Sequence, residues 1–115
     1  MTGILLIIGC WFLNTIAFAE TPRPAWGPYG LAIGNATGNT LQQNPKMVAA
    51  ADGYFFCVWE DQRDGFTNLY AQKIDGGGAR LWEGDGVRLS LTTNNQNSAQ
   101  LIGDDAGGII VAWQD

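Results

Sequence analysis

Histidine is absent from the 115 residues. That removes the usual general base at neutral pH and the commonest zinc ligand, so many hydrolytic mechanisms have no residue to run on here. Cysteine is scarce, with only Cys10 and Cys57. Cys10 lies in an apolar N-terminal run, which leaves Cys57 as the one thiol of the remainder and rules out a disulfide within it. Inside "YFFCVW" Cys57 reads as a small buried hydrophobe, the alternative being a reactive or intermolecular thiol. Positive charge is short as well, six Lys and Arg against eleven Asp and Glu, for a formal net charge of -5. Such a balance offers no electrostatic footprint for nucleic acid or anionic lipid. Helical periodicity is missing beyond the N-terminal run, where the many glycines would penalise a helix.

The one long apolar run stands at the start. It closes on Ala17-Phe18-Ala19, the small-x-small pattern that signal peptidase cleaves, so residues 1–19 read as a signal peptide cut between Ala19 and Glu20. Two other fates stay open. Ile7-Ile8-Gly9-Cys10 loosely resembles a lipoprotein box that would lipidate Cys10, and the run approaches the ~20 residues that a retained membrane anchor needs. The positively charged segment usual ahead of all three is missing. With the leader removed, the protein is expected to be secreted or at the cell surface, periplasmic or extracellular, with no membrane attachment.

What is present is repetition. "FFCVWED" (55–61) returns as "IIVAWQD" (109–115), placing Trp59 on Trp113, 54 positions on. The register holds from Met47 on Leu101 and Val48 on Ile102 to Glu60 on Gln114 and Asp61 on Asp115. "WGPYGLAI" (26–33) lies likewise over "WEGDGVRL" (82–89), 56 positions on, with Gly30 on Gly86 and Ile33 on Leu89. A period in this range belongs to solenoids, propellers or arrays. Short runs rich in aromatic and aliphatic residues, 46–51, 54–59, 68–74 and 87–91, are separated by Gly, Asp and Asn clusters and read as four strands per unit. Four strands is the count of a propeller blade. The second run is apolar on both faces, as a strand covered on both sides requires; the third is more mixed, as expected nearer a rim. Asp52-Gly53 reads as a two-residue hairpin turn between the first two strands.

The expected fold is therefore all-β, in propeller-type repeats of four-stranded antiparallel blades, incomplete at about one and a half. Residues 20–44 would end a preceding blade or supply an N-terminal closing strand, 45–97 form one complete repeat, and 98–115 form the first half of the next. A lone blade leaves its flat faces uncovered, so further blades of the same or a longer chain are expected partners, and open strand edges are expected to associate.

Trp59, Asp61, Arg63 and Gly65, followed by Asn68-Leu69-Tyr70-Ala71-Gln72-Lys73-Ile74-Asp75 and then Gly78, Trp82 and Gly86, trace the order W-x-D-x-R-x-G, [DN]-[IL]-Y-A-Q-[KR]-[IV]-D, G, W, G. This resembles the long-blade repeats of large secreted bacterial β-propeller proteins, grouped loosely with the sialidase-like propellers. The resemblance covers Trp26 to Asp115 and implies a structural role for these residues and for Trp113 and Asp115. The sialidase Asp-box, S-x-D-x-G-x-x-W, is not matched. No arginine triad can be placed from Arg23, Arg63, Arg80 and Arg88.

The polar residues have a building role in this reading. Asp61 accepts from backbone N–H groups of its turn, Arg63 pairs with Asp61 or Asp64, and Gly65 takes a positive φ. Asp61, Asp64 and Asp104-Asp105 have the oxygen chemistry for calcium, but the D-x-[DN]-x-[DN]-G order is missing and solvated turns account for them. Glu60 and Asp61 are neighbours in a strand and face opposite ways, so they cannot flank one glycosidic bond. Glu83 and Asp85 fit a turn. Trp26, Tyr29 and Trp82 could stack on sugar faces, although their recurrence suits packing. The expectation is an exported binding or scaffold module for a polysaccharide or a cell-surface protein, without cofactor, metal or catalytic residues of its own. The alternative is the N-terminal part of a sialidase-like glycosidase whose catalytic residues lie in further blades.

Overall fold

The computed structural model describes residues 30–34, 40–82 and 84–115, and these form strands and turns with no helix. The expected cleavage site at Ala19 and Glu20, and with it Trp26, Tyr29 and Glu83, lies outside the described residues. No helix among the described residues is long and apolar enough to cross a membrane.

The described strands are β1 (Gln42–Ala49), β2 (Phe55–Asp61), β3 (Asn68–Ile74), β4 (Val87–Arg88), β5 (Asn97–Gly103) and β6 (Ile109–Gln114). β1 to β4 pair in chain order as one antiparallel sheet, and β5 pairs with β6 in a second. The all-β reading holds, and neither sheet closes on itself among the described residues.

Several local expectations need correction. β1 begins before Pro45, so a unit drawn from residue 45 cuts through its first strand. The fourth strand shrinks from 87–91 to Val87–Arg88: Leu89 N still donates to Leu69 O (2.9 Å), but Arg88 then reaches Thr92 O (2.8 Å) and Leu91 swings into solvent, 86% exposed. The first hairpin has no two-residue turn. Ala50 N donates to Tyr54 O (2.8 Å) and Gly53 N to Ala50 O (3.4 Å), leaving Ala51, Asp52 and Gly53 in the loop with Gly53 at φ 80. That is the longer hairpin connection in which a positive-φ residue follows a turn. β3 is buried almost throughout, where a rim position was expected. Its Asn68 and Gln72 are both fully buried and hydrogen-bonded, which is what makes a mixed sequence tolerable inside.

The period seen in the sequence is also a period of the backbone. The pairs Met47↔Cys57, Val48↔Phe56 and Ala49↔Phe55 recur 54 positions on as Leu101↔Val111, Ile102↔Ile110 and Gly103↔Ile109. Both hairpins carry a register shift at the same place, Gln43 to Lys46 and Asn97 to Gln100. The extra residue takes a left-handed conformation each time, Asn44 at φ 52 and Ser98 at φ 56. Loop closure by Ala50 N to Tyr54 O is matched by Asp104 N to Gly108 O (3.1 Å). Neither bulge residue is a glycine; asparagine enters this region more readily than most residues, while at Ser98 the pairing around it holds the conformation.

β2 is buried on both faces. On one face Val58, Leu69 and Ala71 pack with Ala99 of β5, joined by the partly buried Trp82, Leu89, Leu101, Ile109 and Val111. The β5–β6 hairpin thus stacks on the first sheet and dries that face. On the other face Cys57, Trp59 and Tyr70 pack together, with Ile33 against them. Trp59 and Tyr70 stack with centroids 6.2 Å apart.

Candidate functional site

The W-x-D-x-R-x-G residues converge at the end of β2. Trp59 and Asp61 are two apart in a strand and so share a face, which lets Trp59 Nε1 donate to Asp61 Oδ2 (3.0 Å). The same oxygen accepts from Gln42 Nε2 on the neighbouring strand (2.7 Å) and from Arg63 NH2 (2.5 Å), while Oδ1 accepts from Arg63 N (2.9 Å). The turn then closes through Gly65 N to Gln62 O (3.0 Å), with Gly65 at φ 85. Asp61 is fully buried. Burial pushes its carboxyl up, yet the hydrogen bonds from Arg63, Trp59 and Gln42 win and hold it down at about 2.

Arg63 joins this hub to its surroundings. Its NH1 donates to Asp85 O (3.0 Å) and its guanidinium lies 4.0 Å from the Tyr70 ring centroid. Tyr70 Oη donates to Asp64 Oδ2 (2.6 Å). That oxygen also accepts from Asn68 Nδ2 (3.3 Å) and lies 3.6 Å from Arg88 NH1. Burial, the bond to Asp64 and the Asp64 charge raise the Tyr70 hydroxyl to about 12. Arg63 therefore pairs with Asp61 rather than Asp64, and Asp64 serves Tyr70.

The remaining motif residues separate into turns and packing. Asp75 N and Oδ1 close a loop on Ala79, Asp75 O accepts from Gly78 N (3.0 Å), and Gly78 sits at φ 90. Gln72 Oε1 accepts from Trp82 N (3.0 Å), and the Trp82 ring meets Phe56 at 5.5 Å, so Trp82 packs rather than presents itself to a sugar. Gly86, at φ 84, lies where a Cβ would come within 2.5 Å of Trp59 Cη2. Trp113 and Asp115 are both exposed, Trp113 at 36% against 4% for Trp59, because no described strand stands beside β6 as β3 stands beside β2.

Sequence reasoning weighed Glu60 only as half of a catalytic pair and passed over Gln96; both are buried and tie the hairpins together. Glu60, on the opposite face from Asp61, accepts from Gln43 Nε2 (3.0 Å), Asn44 Nδ2 (2.9 Å) and Ser98 N of the next hairpin (3.1 Å). Gln96 Oε1 accepts from Leu69 N (3.4 Å), and its own N–H donates to Thr67 O (2.6 Å). A signal for Glu60 existed in its place beside the conspicuous Trp59, but which neighbour would reach it depended on an unforeseen bulge.

Two openings flank these networks. A cleft of about 390 Å³ runs between the bulges of β1 and β5, lined by Asn44, Lys46, Glu60, Ser98 and Gln100. A smaller one of about 120 Å³ lies against Trp59, Ile33 and Pro45. Chemically, the carboxylates of Glu60 and Asp61 spend their oxygens on internal donors, which suits them to positioning backbone. Among the described residues no three His, Cys, Asp or Glu side chains are placed to hold a metal ion. Burial pushes the Cys57 thiol up to about 11, which makes it a poor nucleophile. No family model, curated protein or solved structure matches the chain.

Proposed function

We propose that the chain is an exported run of propeller-type blades acting as a binding or scaffold module, at the cell surface or outside the cell, without catalysis of its own. One observation carries the reading. The 54-residue repeat recurs in backbone detail, in register, bulge and loop closure, while one hairpin covers the face of the sheet before it. Units that dry each other's faces in series are the physical basis of radial and solenoid repeats. Ile33, packed against the Cys57, Trp59 and Tyr70 cluster, supports the same order: its counterpart Leu89, 56 positions on, packs against the core to which Ala99 of the following hairpin belongs.

The cleft between the bulges supports a binding role. It gathers uncharged and charged polar groups from two successive units at one end of the stack, a lining suited to the hydroxyls of a polysaccharide or to a cell-surface protein. The carboxylates of Glu60 and Asp61, buried and bonded internally, suit a module that does no glycoside hydrolysis with these residues. The test is to express the full chain with a C-terminal tag in a bacterium, fractionate the cells, sequence the N-terminus and probe a glycan array and a fluorogenic sialoside. The expected product begins at Glu20, lies outside the cytoplasm, is retained by glycan or by surface protein, and leaves the sialoside intact. Unprocessed chain confined to the cytoplasm, or release of the fluorophore, would refute the reading.

A further inference from the structure

We propose that the outer face of the β5–β6 hairpin is a docking surface for a second copy of this chain, which stacks on it head to tail through the Met47 side of its own β1–β2 hairpin. This rests on the repeat reading above and adds the partner and the geometry.

The face is apolar and open. Ile102 and Ile110 are register partners, 62% and 57% exposed, and with Gln100, Leu101 and Ala112 they line a shallow cleft of about 180 Å³. Large aliphatic side chains paired in water mark an interaction surface.

The molecule already holds the mate of this face. Ile102, Ile110 and Ala112 are the counterparts, 54 positions on, of Val48, Phe56 and Val58. In the first hairpin that face is covered, with Phe56 1% and Val58 0% exposed. Its cover includes the inward face of β5–β6, Ala99, Leu101, Ile109 and Val111. The counterparts of those four are Pro45, Met47, Phe55 and Cys57. On that side Met47 is 51% exposed and Phe55 half-buried, so its β1 margin is open to a partner. A second copy approaching as β5–β6 approaches the first sheet therefore brings Met47 onto Ile102 and Ile110. The two surfaces differ, so the contact is heterologous, and each copy carries one of each.

The test uses the full chain after leader removal, in sedimentation velocity over a concentration series. Wild type is expected to gain mass with concentration. Ile110→Lys and Met47→Lys, both at exposed positions, are each expected to lose that gain, while an equimolar mixture forms a dimer and stops, because each variant keeps one intact face. Unchanged urea midpoints by tryptophan fluorescence exclude unfolding as the reason. A monomeric wild type overturns the proposal, as does a mixture that stays monomeric. Met47→Lys behaving as wild type overturns it too, since it would point to two β5–β6 faces meeting each other. A monomer that is still exported and cut after Ala19 defeats this inference alone and leaves the export reading standing.

Discussion

Replacing Asp61 by Asn tests the hub most directly, because it keeps the shape and removes the charge. The wild-type carboxyl is held at about 2 against an ordinary 3.8. A depression of nearly two pH units, at about 1.4 kcal/mol each, corresponds to about 2 to 3 kcal/mol of folding free energy. The sign follows from the direction: a lowered folded-state value contributes stability that is present above the unfolded value and lost as pH falls through the folded one. Asp61→Asn is thus expected to cost about 2 to 3 kcal/mol at neutral pH, and its gap from wild type should narrow as pH falls from about 4 to about 2. The substitution also turns an amide N–H₂ toward donors from Trp59, Gln42 and Arg63, which keeps the loss near the upper end. Urea unfolding followed by tryptophan fluorescence, repeated across that pH range, measures both quantities. A neutral-pH loss below about 0.5 kcal/mol, the size of an ordinary surface change, would refute the reasoning. So would a gap that does not move with pH.

Gly86→Ala would drive a Cβ to 2.5 Å from Trp59 Cη2 and 3.0 Å from Ala71 O at a positive φ, so a loss of about 2 kcal/mol or more in urea unfolding is expected; a neutral result would mean the turn relaxes freely. Tyr70→Phe removes the 2.6 Å bond from the buried Tyr70 to the exposed Asp64 and is expected to cost about 1 kcal/mol. In wild type the raised phenol should contribute stability below about pH 10 that fades as pH climbs through about 12, which phenolate absorbance and unfolding curves together check. Cys57, buried and shifted to about 11, should resist a disulfide-exchange reagent in the folded protein and react in denaturant; prompt labelling of folded protein would contradict its burial.

The strands that could be seen in the sequence are those whose residues are dry. β2 and β3 stood out because Phe56, Val58, Leu69 and Ala71 pack in the core, and burial leaves an apolar signature. β1 was drawn too short because "QQNP" lies exposed and carries no hydrophobic pattern. The bulge was invisible for a related reason: Asn44-Pro45 and Ser98-Ala99 share no chemistry, and the backbone repeats there while the letters do not. β4 was drawn too long since alternation around Val87 and Leu89 implies more pairing than Arg88, turning to Thr92, permits. At the hub, Trp59, Asp61, Arg63 and Gly65 were legible because their bonds span only a few residues. Gln42, Glu60 and Gln96 were not, since Asp61, Gln43, Asn44 and Leu69, to which they bond, lie 16 or more positions away and become neighbours only through the strand order.

Pro45, seated in the bulge of β1, has a consequence for how the open margin of that sheet behaves. An outer strand ordinarily offers a regular ladder of free amides on which a foreign polypeptide can crystallise into fibril. Here the rung at Pro45 is missing and the spacing slips at Asn44, so the ladder is broken near its middle. Growth by adding strands sideways along β1 is thereby discouraged, and the molecule can leave this border wet without courting amyloid.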